Sequence, residues 1–287
     1  MRRLVVFAHF DLHNKIENYV INYLKSLVDC GAKIVFVSDS DLSNEELEKI
    51  KNSTVKNIAK HHGEYDFGSY KIGFEYCLNS GILDDFDELI FANDSCYAPL
   101  APFEKMFETM DKKNVDFWGI TANRTKSTNF ILHIQSFFYA FRKSVFCSEY
   151  FRNLVHSFSK LSSKEDIIFE YECGVTKKLE DCGYKWEVYC PSSLSHSDAY
   201  IYDYKNLIKQ GCPLLKRSIP LKRARMPIFG LFNFIKSTGY NLSYIQEDIS
   251  ENKKVLSFKD NLVILYKLLL KIPYIKVKYS LCDLLYK

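Results

Sequence analysis

An apolar run that ends in oxygen-bearing side chains is the first candidate for chemistry in this sequence. Residues 87–95 read Asp-Glu-Leu-Ile-Phe-Ala-Asn-Asp-Ser, so a β-rich stretch closes on Asn93, Asp94 and Ser95. Oxygen ligands suit Mg²⁺ or Mn²⁺, which often take only one or two ligands from a protein. The pattern indicates a divalent cation that would hold a diphosphate. A turn cluster that caps the following helix is the other interpretation.

Two glycines bracket a tight segment ahead of a predicted helix, at Gly63 and Gly68. The unpaired backbone N–H groups and the dipole at a helix N-terminus favour an anion or ribose hydroxyls. The triplet Asp66-Phe67-Gly68 matches a protein-kinase motif, but the other kinase motifs are absent. Walker A and G-x-G-x-x-G sequences are also absent, which argues against P-loop and dinucleotide-binding proteins.

Two further candidates lie in the second half of the chain. Glu172 leads a segment that closes with Gly183 eleven residues later, which predicts a helix with a carboxylate at its N-terminal end. This carboxylate could deprotonate an acceptor hydroxyl as a general base, or it could simply complement the helix dipole. His196 follows a predicted strand and a polar loop, where it could ligate a metal, contact a phosphate or serve only as a loop residue.

The elements that must position these residues alternate between strands and helices. The predicted strands are Leu4–Phe7, Lys33–Ser38, Val55–Ile58, Glu88–Ala92, Val115–Ile120, Ile134–Phe141 and Lys185–Cys190. The predicted helices are Asn14–Cys30, Glu45–Lys51 with Ser43 as its N-cap, Ser69–Asn79, Phe103–Lys112 and the segment that Glu172 leads. This alternation predicts an α/β fold with a mainly parallel sheet covered on both faces.

Polar side chains follow three of the predicted strands. His9 and Asp11 come after the first strand, Ser38–Asp41 after the second and Asn93–Ser95 after the fourth. Ligands of open parallel sheets bind at the carboxyl ends of the strands, so these residues are predicted to converge on one site. Each residue taken singly is better explained as a turn residue or a helix cap, so the prediction rests on their convergence.

Length and composition indicate the class of protein. The 287 residues, 47% of them hydrophobic, suffice for one large α/β domain and a C-terminal extension. Nine cysteines without a CxxC pair favour a reducing compartment over a disulfide framework or a structural zinc site. No run approaches the roughly 20 apolar residues of a membrane span, and no signal peptide is recognisable. We therefore expect a cytoplasmic protein.

Basic residues are concentrated towards the C-terminus. Five of the ten residues 216–225 are basic, and eight Lys stand against two Asp from Lys253 onward. Because aromatic interleaving is missing, we expect no nucleic-acid partner and favour an anionic membrane surface. Residues 259–286 predict either a helical pair that packs on the domain or an amphipathic membrane-surface element. Residues 211–239, rich in Pro, Gly and basic residues, predict a loop or an acceptor-facing segment.

Five ordered motifs together resemble the rhamnan synthesis F family of polysaccharide glycosyltransferases. They are His9-Phe10-Asp11, Glu64–Lys71, Asn93–Tyr97 with Pro99, Asp116–Thr121 and Gln135–Phe138, and the resemblance runs from about residue 4 to about residue 245. It implies a GT-A-like, Rossmann-type sheet that binds a nucleotide-sugar, with the glycosyltransferase domain at residues 1–245. Residues 246–287 would form a helical, basic extension that associates with the inner face of the cell membrane.

The resemblance also implies roles for individual residues. Asn93-Asp94-Ser95 stands where GT-A enzymes carry a metal-binding Asp-x-Asp, with Asn and Ser in place of the outer carboxylates. The implied cofactor is Mg²⁺ or Mn²⁺, with Asp94, Ser95 and His196 as ligands. Glu172 has the spacing to Gly183 of the general base in inverting enzymes, although Cys173 stands where an Asp is common.

These implications form one mechanism. Asp94 would offset charge on the leaving diphosphate, and Glu172 would deprotonate the acceptor hydroxyl. The expected donor contacts are His9, Asp11, Ser38, Asp66, Gly68, Tyr70, Lys71, Asn93 and Ser95. The expected acceptor contacts are Trp118, Gln135 and Tyr139.

The substrates implied by the resemblance belong to bacterial surface polysaccharide synthesis, such as O-antigen, capsule or rhamnan. The donor would be dTDP-rhamnose, UDP-galactose or a similar nucleotide-sugar, and the acceptor a glycan or a polyprenyl-linked glycan. The alternative is a non-catalytic glycan- or nucleotide-binding subunit of a polysaccharide-assembly complex.

Overall fold

The computed structural model describes residues 1–124, 129–195, 197–221 and 230–252. Its strands are β1 Arg3–His9, β2 Lys33–Ser38, β3 Lys56–Ala59, β4 Glu88–Asn93, β5 Cys96–Tyr97, β6 Phe117–Gly119, β7 Ala122–Asn123, β8 His133–Ile134, β9 Phe138–Arg142, β10 Trp186–Val188 and β11 Leu215–Lys216.

The α-helices follow in the same chain order. They are α1 Asn18–Asp29, α2 Asn44–Glu48, α3 Tyr65–Asn79, α4 Phe103–Asp111, α5 Lys143–Phe146, α6 Glu149–His156, α7 Lys164–Ile167, α8 Gly174–Asp181, α9 Ala199–Tyr202, α10 Tyr204–Lys209, α11 Leu231–Ser237 and α12 Leu242–Glu251. Two short 3₁₀ helices cover Ile82–Asp85 and Pro191–Leu194, and Ile168–Cys173 forms a π-helix.

Seven strands form the central sheet, in the order β10-β6-β9-β4-β1-β2-β3. The pairs β1–β2, β1–β4, β2–β3 and β10–β6 are parallel, whereas β9 runs antiparallel to both of its neighbours. Two-stranded pairs, β11–β5 and β7–β8, lie beside the central sheet. The predicted α/β fold with a mostly parallel sheet is confirmed.

Both faces of the sheet are covered, as strands without a polar face require. Every residue of β1 is buried. Successive side chains of a strand point to opposite faces, and Val5 and Phe7 pack with α1 and α4 while Leu4 and Val6 pack with α3 and α6. The two apolar cores therefore sit on either side of β1, and the polar groups are left at the ends of the strands.

Helix α3 packs unusually close to the sheet because of a glycine. A Cβ built on Gly73 would overlap Val6 Cγ1 and lie 3.0 Å from Val37 Cγ2. The missing side chain thus lets the α3 backbone lie against β1 and β2. This contact determines how the first turns of α3 reach the carboxyl ends of those strands.

Several elements differ from their predicted bounds. Helix α3 begins at Tyr65 rather than Ser69, so Asp66 and Gly68 lie in its first turns. The predicted strand 134–141 is divided, because β8 ends at Ile134 and pairs with β7 outside the central sheet, whereas β9 begins at Phe138 within it. Helix α11 lies within residues 211–239, and α12 crosses residue 245.

None of the helices in the described part of the chain combines the length and apolar character of a membrane span. Of the extension predicted at 246–287, residues 253–287 lie outside the described residues.

Candidate functional site

The carboxyl ends of β1 and β2 meet through two hydrogen-bonded polar side chains. His9, the last residue of β1, is 1% exposed, and its Nδ1 lies 2.9 Å from Ser38 Oγ at the end of β2. Asp11 follows and accepts hydrogen bonds from the backbone N–H groups of His13 and Lys15, at 2.9 and 3.0 Å. These contacts shape the loop after β1, so two predicted donor contacts, His9 and Ser38, first serve to order the site.

Asp39, one of the polar residues that the prediction places after the second strand, orders the neighbouring segment. Asp39 is 5% exposed, and its Oδ1 accepts from the backbone N–H of His62 at 2.6 Å and of Gly63 at 2.8 Å. Two N–H donors aimed at one oxygen fix the loop before α3 against the end of β2. The backbone N–H of Asp39 also donates to His9 O at 2.8 Å, so Asp39 connects the loop before α3 to the ends of β1 and β2.

His62 links the same loop to α3 as a neutral side chain. Its Nδ1 accepts from Glu64 N–H at 3.1 Å, and its Nε2 lies 3.0 Å from Ser69 Oγ. Burial lowers the pKa of the imidazole below its ordinary value of 6.5, against the opposing effect of Asp39. Gly68 packs directly below, where a Cβ would overlap Glu64 Cβ and lie 3.0 Å from the His62 ring.

Asn93, at the end of β4, lies between α3 and the following turn. Its Nδ2 donates to Asp66 Oδ2 at 2.8 Å, and its Oδ1 accepts from Ser95 N at 3.1 Å and Ser95 Oγ at 2.5 Å. Asp66, Asn93 and Ser95, all predicted donor contacts, are thus brought together. The Asn93 carboxamide orders the turn between β4 and β5, and it caps no helix, because α4 begins only at Phe103.

Asp94 joins the ends of β4 and β1. Its Oδ2 accepts from Phe10 N–H at 3.0 Å, its own N–H donates to Ala8 O, and its carbonyl accepts from the Tyr19 hydroxyl at 3.1 Å. The residue is 7% exposed. The carboxylate therefore lies at the convergence of the two strands and is directed towards the loop after β1.

Glu172 lies on the other side of the site, in the π-helix. Its Oε1 accepts from Ser136 N–H at 3.2 Å, and its backbone carbonyl accepts from the Tyr139 hydroxyl at 2.9 Å. The carbonyl of the same Ser136 accepts from the Tyr70 hydroxyl of α3 at 3.0 Å. One residue between β8 and β9 thus connects Glu172 to the helix that carries Asp66.

The local geometry of Glu172 corrects one interpretation of this carboxylate. The helical segment begins at Lys164 and continues through the π-helix into α8, so Glu172 does not lie at a helix N-terminus. Because the dipole effect is confined to the first turn, dipole complementation does not explain this residue. π-helical turns inside helices are frequent at functional sites.

A family model decides the membership of this chain. The model for rhamnan synthesis protein F matches residues 34–279, which is most of the sequence; the match includes Asn93 and Glu172 and begins after His9 and Asp11. The chain belongs to this family. No curated protein sequence matches this chain.

Three solved structures illustrate what this family member is similar to. A glycosyltransferase involved in the glycosylation of the major capsid of PBCV-1 has 9% identity and a TM-score of 0.43, over 84% of this chain and 100% of that chain. Residues 1–349 of S. aureus TarS have 12% identity and a TM-score of 0.36, over 73% of this chain and 64% of that chain. Core-mannan synthase A of Aspergillus fumigatus, in its Mn/GDP form, has 9% identity and a TM-score of 0.36, over 54% of this chain and 63% of that chain.

The chain thus spans less than two thirds of the length of the Aspergillus and S. aureus proteins. At these identities and TM-scores, the similarities support no inference about the activity of this rhamnan synthesis F family member.

The two predicted metal ligands that the structure describes, Asp94 and Ser95, do not by themselves form a site that fits a divalent cation. Asp94 Oδ2 is bonded to Phe10 N–H, and Ser95 Oγ accepts a hydrogen bond from the Lys216 ammonium at 2.8 Å, a charge that repels a cation. Among the residues that the structure describes, no group of three His, Cys, Asp or Glu side chains could hold a metal ion. The third predicted ligand, His196, lies outside the described residues.

One predicted contact is wrong on the evidence of burial. Trp118 is fully buried among core aromatics, and its indole N–H donates to Glu88 at 2.7 Å, so it cannot form an acceptor-facing wall. Lys71 Nζ donates to the carbonyl of Phe158 at 3.0 Å, and its role as a donor contact stays a prediction.

The other predicted acceptor contacts, Tyr139 and Gln135, are also buried. Tyr139 is 1% exposed and supports the Glu172 backbone, so its contact with the site runs through Glu172. Gln135 is 3% exposed and accepts from Thr121 Oγ1 at 2.8 Å. Neither position presents a surface to an acceptor, and both order the segment that holds Glu172.

The sequence alone gave no role to Tyr200, which lies near Glu172. Burial raises the pKa of its phenol, and the Asp198 and Glu172 carboxylates raise it further. Its ring lies 6.0 Å from that of Phe137, a residue of the resemblance motif at 135–138. No local pattern distinguishes Tyr200 among the 20 tyrosines, so only its position in the fold identifies it.

Proposed function

We propose that this chain is a glycosyltransferase of polysaccharide synthesis, which transfers a sugar from a nucleotide-sugar to a hydroxyl of a glycan or lipid-linked acceptor. Membership of the rhamnan synthesis F family supports the pathway class. One observation supports the chemistry. The Ser136 backbone N–H donates to Glu172 Oε1 while the Ser136 carbonyl accepts from Tyr70, so that the carboxylate is tied to the helix that reaches Asn93.

In this proposal the donor binds at the carboxyl ends of β1, β2 and β4. The nucleotide would contact the loop after β1 and the loop that Asp39 fixes before α3. The polar group of Asp66, Asn93 and Ser95 would face the sugar and diphosphate. Ligands of open α/β sheets bind at this edge of the sheet.

The reaction in this proposal is a direct displacement. The acceptor oxygen attacks the anomeric carbon, its proton passes to the Glu172 carboxylate, and the bond to the diphosphate oxygen breaks with its electron pair. Because attack and departure occur on opposite faces, the configuration would invert. The hydrogen bond from Ser136 N–H orients the carboxylate, which is what a general base requires.

Substitution of Glu172 by Gln tests the proposed base. We expect the rate of transfer to fall about 10²- to 10⁴-fold, because a general base contributes that much, while donor affinity changes little. Transfer would be followed as nucleoside diphosphate release from a panel of UDP-, GDP- and dTDP-sugars with a polyprenyl-linked glycan. Donor affinity would be measured by calorimetry.

Glu170→Gln is the matched control, since Glu170 is exposed in the same π-helix. We expect it to keep both binding and transfer. Retained transfer in Glu172→Gln, or a loss of donor binding, would contradict the role of Glu172 as base. A wild-type protein that binds donors but transfers none of them would instead favour a non-catalytic subunit.

The finer assignments of the sequence stay predictions. dTDP-rhamnose and UDP-galactose remain the expected donors. Contact with an anionic membrane surface was assigned to residues 246–287, most of which lie outside the described residues. Vesicle binding by the full-length chain would test that assignment.

A further inference from the structure

A lysine from a distant part of the chain lies at the end of β4. Strand β11 pairs antiparallel with β5, so that Lys216 is opposite Cys96. From this position Lys216 Nζ donates to Ser95 Oγ at 2.8 Å. The ammonium also lies 4.4 Å from the centre of the Phe137 ring, a favourable cation–π contact.

Contacts of the next residue, Arg217, hold the backbone around Lys216 in place. The next residue, Arg217, donates its backbone N–H to Ser95 O at 3.0 Å, and its guanidinium binds Asp248 through two hydrogen bonds of 2.9 and 2.7 Å. The Asp248 side chain is fully buried and also accepts from the Tyr97 hydroxyl. Helix α12 thus anchors β11 against β5, which places the Lys216 ammonium at a defined point.

The Lys216 ammonium has no counter-charge of its own in the described part of the chain. It is half-buried, yet no carboxylate among those residues lies within ion-pair distance of it. Its neighbours at this point are a hydroxyl and an aromatic ring, and the nearby Cys96 thiol has its pKa raised to about 11 by burial, so it stays uncharged. A lysine ammonium is a strong donor and point charge for phosphate oxygens.

We propose that Lys216 binds the diphosphate of the nucleotide-sugar and takes the place of a divalent cation in this site. This inference rests on the proposed function and adds to it the residue that stabilises the leaving group. As the bond from the anomeric carbon breaks, the electron pair stays on the diphosphate oxygen, and the ammonium stabilises the negative charge there. Donor binding then requires no metal, because the Lys216 ammonium already supplies a positive charge beside Ser95, one of the predicted cation ligands.

Calorimetric binding of UDP, GDP and dTDP in excess EDTA tests the proposal without any transfer reaction. We expect at least one nucleoside diphosphate to bind the wild-type protein under these conditions. Lys216→Met should weaken that binding about 10- to 100-fold, the usual effect of losing a charge-assisted hydrogen bond. Lys216→Arg should retain most of the affinity, since it keeps the charge.

Lys209→Met is the control for net charge, because Lys209 is exposed at the end of α10, and it should bind like the wild type. Binding in EDTA that Lys216→Met leaves unchanged would overturn the inference, as would binding that appears only with Mn²⁺ or Mg²⁺. Both outcomes would leave the proposed function intact. Failure of the folded wild type to bind any nucleoside diphosphate, with or without metal, would overturn both.

Discussion

At the residue scale, a buried carboxylate organises the amino-terminal end of β4, at the opposite end of the strand from Asn93. Glu88 is fully buried, and its two oxygens accept from Arg3 Nε at 2.8 Å and from Trp118 Nε1 at 2.7 Å, while Arg142 Nη1 lies 2.7 Å from Oε1. Two guanidinium groups and an indole N–H therefore satisfy a charge that would otherwise be costly to bury. Trp118 belongs to this network and not to a binding surface.

Substitution of Trp118 by Phe should show this structural role. We expect the free energy of unfolding to fall by about 1–3 kcal/mol, because Glu88 loses one buried donor and the core loses volume. Chemical denaturation would measure the loss, and the affinity of folded protein for nucleoside diphosphates should be unchanged.

The other tryptophan supplies a matched control. Trp186 is only partly buried on β10, and its indole N–H donates to the exposed Glu180 at 3.3 Å. Trp186→Phe should therefore cost much less. If Trp118→Phe weakened nucleotide binding without a loss of stability, Trp118 would have to be returned to the site.

At the element scale, α3 connects most of the candidate site. Its first turns carry Asp66, which binds Asn93, and Tyr70, which binds the Ser136 carbonyl. Close packing at Gly73 sets the distance between this helix and β1 and β2. The position of α3 thus determines whether the polar residues of several strands meet.

Substitution of Gly73 by Ala tests this close contact. Alanine is intrinsically favoured in a helix over glycine by about 1 kcal/mol. The added Cβ would overlap Val6 and press on Val37, and overpacking of this kind costs about 1–3 kcal/mol. We therefore expect a net loss of stability in thermal or chemical unfolding.

Gly174→Ala, at the start of α8, is the control for helix propensity. Its Cβ would meet nothing closer than 3.6 Å, so the substitution should leave stability unchanged or raise it slightly. Equal effects of the two substitutions would show that the contact of Gly73 with the sheet is unimportant.

At the scale of the whole molecule, segments far apart in sequence complete the site. Helix α12 contacts the sheet region through Asp248, which binds Tyr97 from 151 residues away. Asn18 of α1 donates to Glu247 of α12 at 2.8 Å. These contacts hold β11 beside β5, so that the last described helix determines where Lys216 lies.

The pH dependence of global unfolding should report the partly buried His62. Its pKa is lowered in the fold by burial, whereas the unfolded chain takes up this proton near 6.5. Below 6.5 the unfolded state therefore binds more protons, so the stability that is present above this pH is lost as pH falls towards the folded pKa. We expect the unfolding free energy of the wild type to decrease between about pH 7 and pH 5.

His62→Asn should reduce this pH dependence, since Asn keeps an acceptor for Glu64 N–H but does not titrate. His156→Asn is the control, because His156 is exposed and its pair with Glu75 is a surface contact. Denaturation curves at several pH values would measure the difference. Parallel profiles for the wild type and His62→Asn would contradict the role of His62.

The sequence by itself determined the α/β class, the strands near the N-terminus and most residues at their carboxyl ends. The predicted bounds of β2 agree with the structure, and those of β1 and β4 differ by one or two residues. Ser43 was also predicted as the N-cap of α2, and its hydroxyl accepts from Glu46 N–H. These features depend on hydrophobic periodicity and local hydrogen bonds, which are encoded within a few residues.

Only the tertiary structure decided which of these residues act together. The hydrogen bond between Trp118 and Glu88 joins residues 30 positions apart in the sequence. The separation is 36 residues for Glu172 and Ser136, and 121 residues for Lys216 and Ser95. Long-range contacts of this kind leave no periodic signal, because each depends on how whole elements pack. The close approach of α3 at Gly73 and the pairing of β11 with β5 are examples, and together they set the charge and geometry of the candidate site.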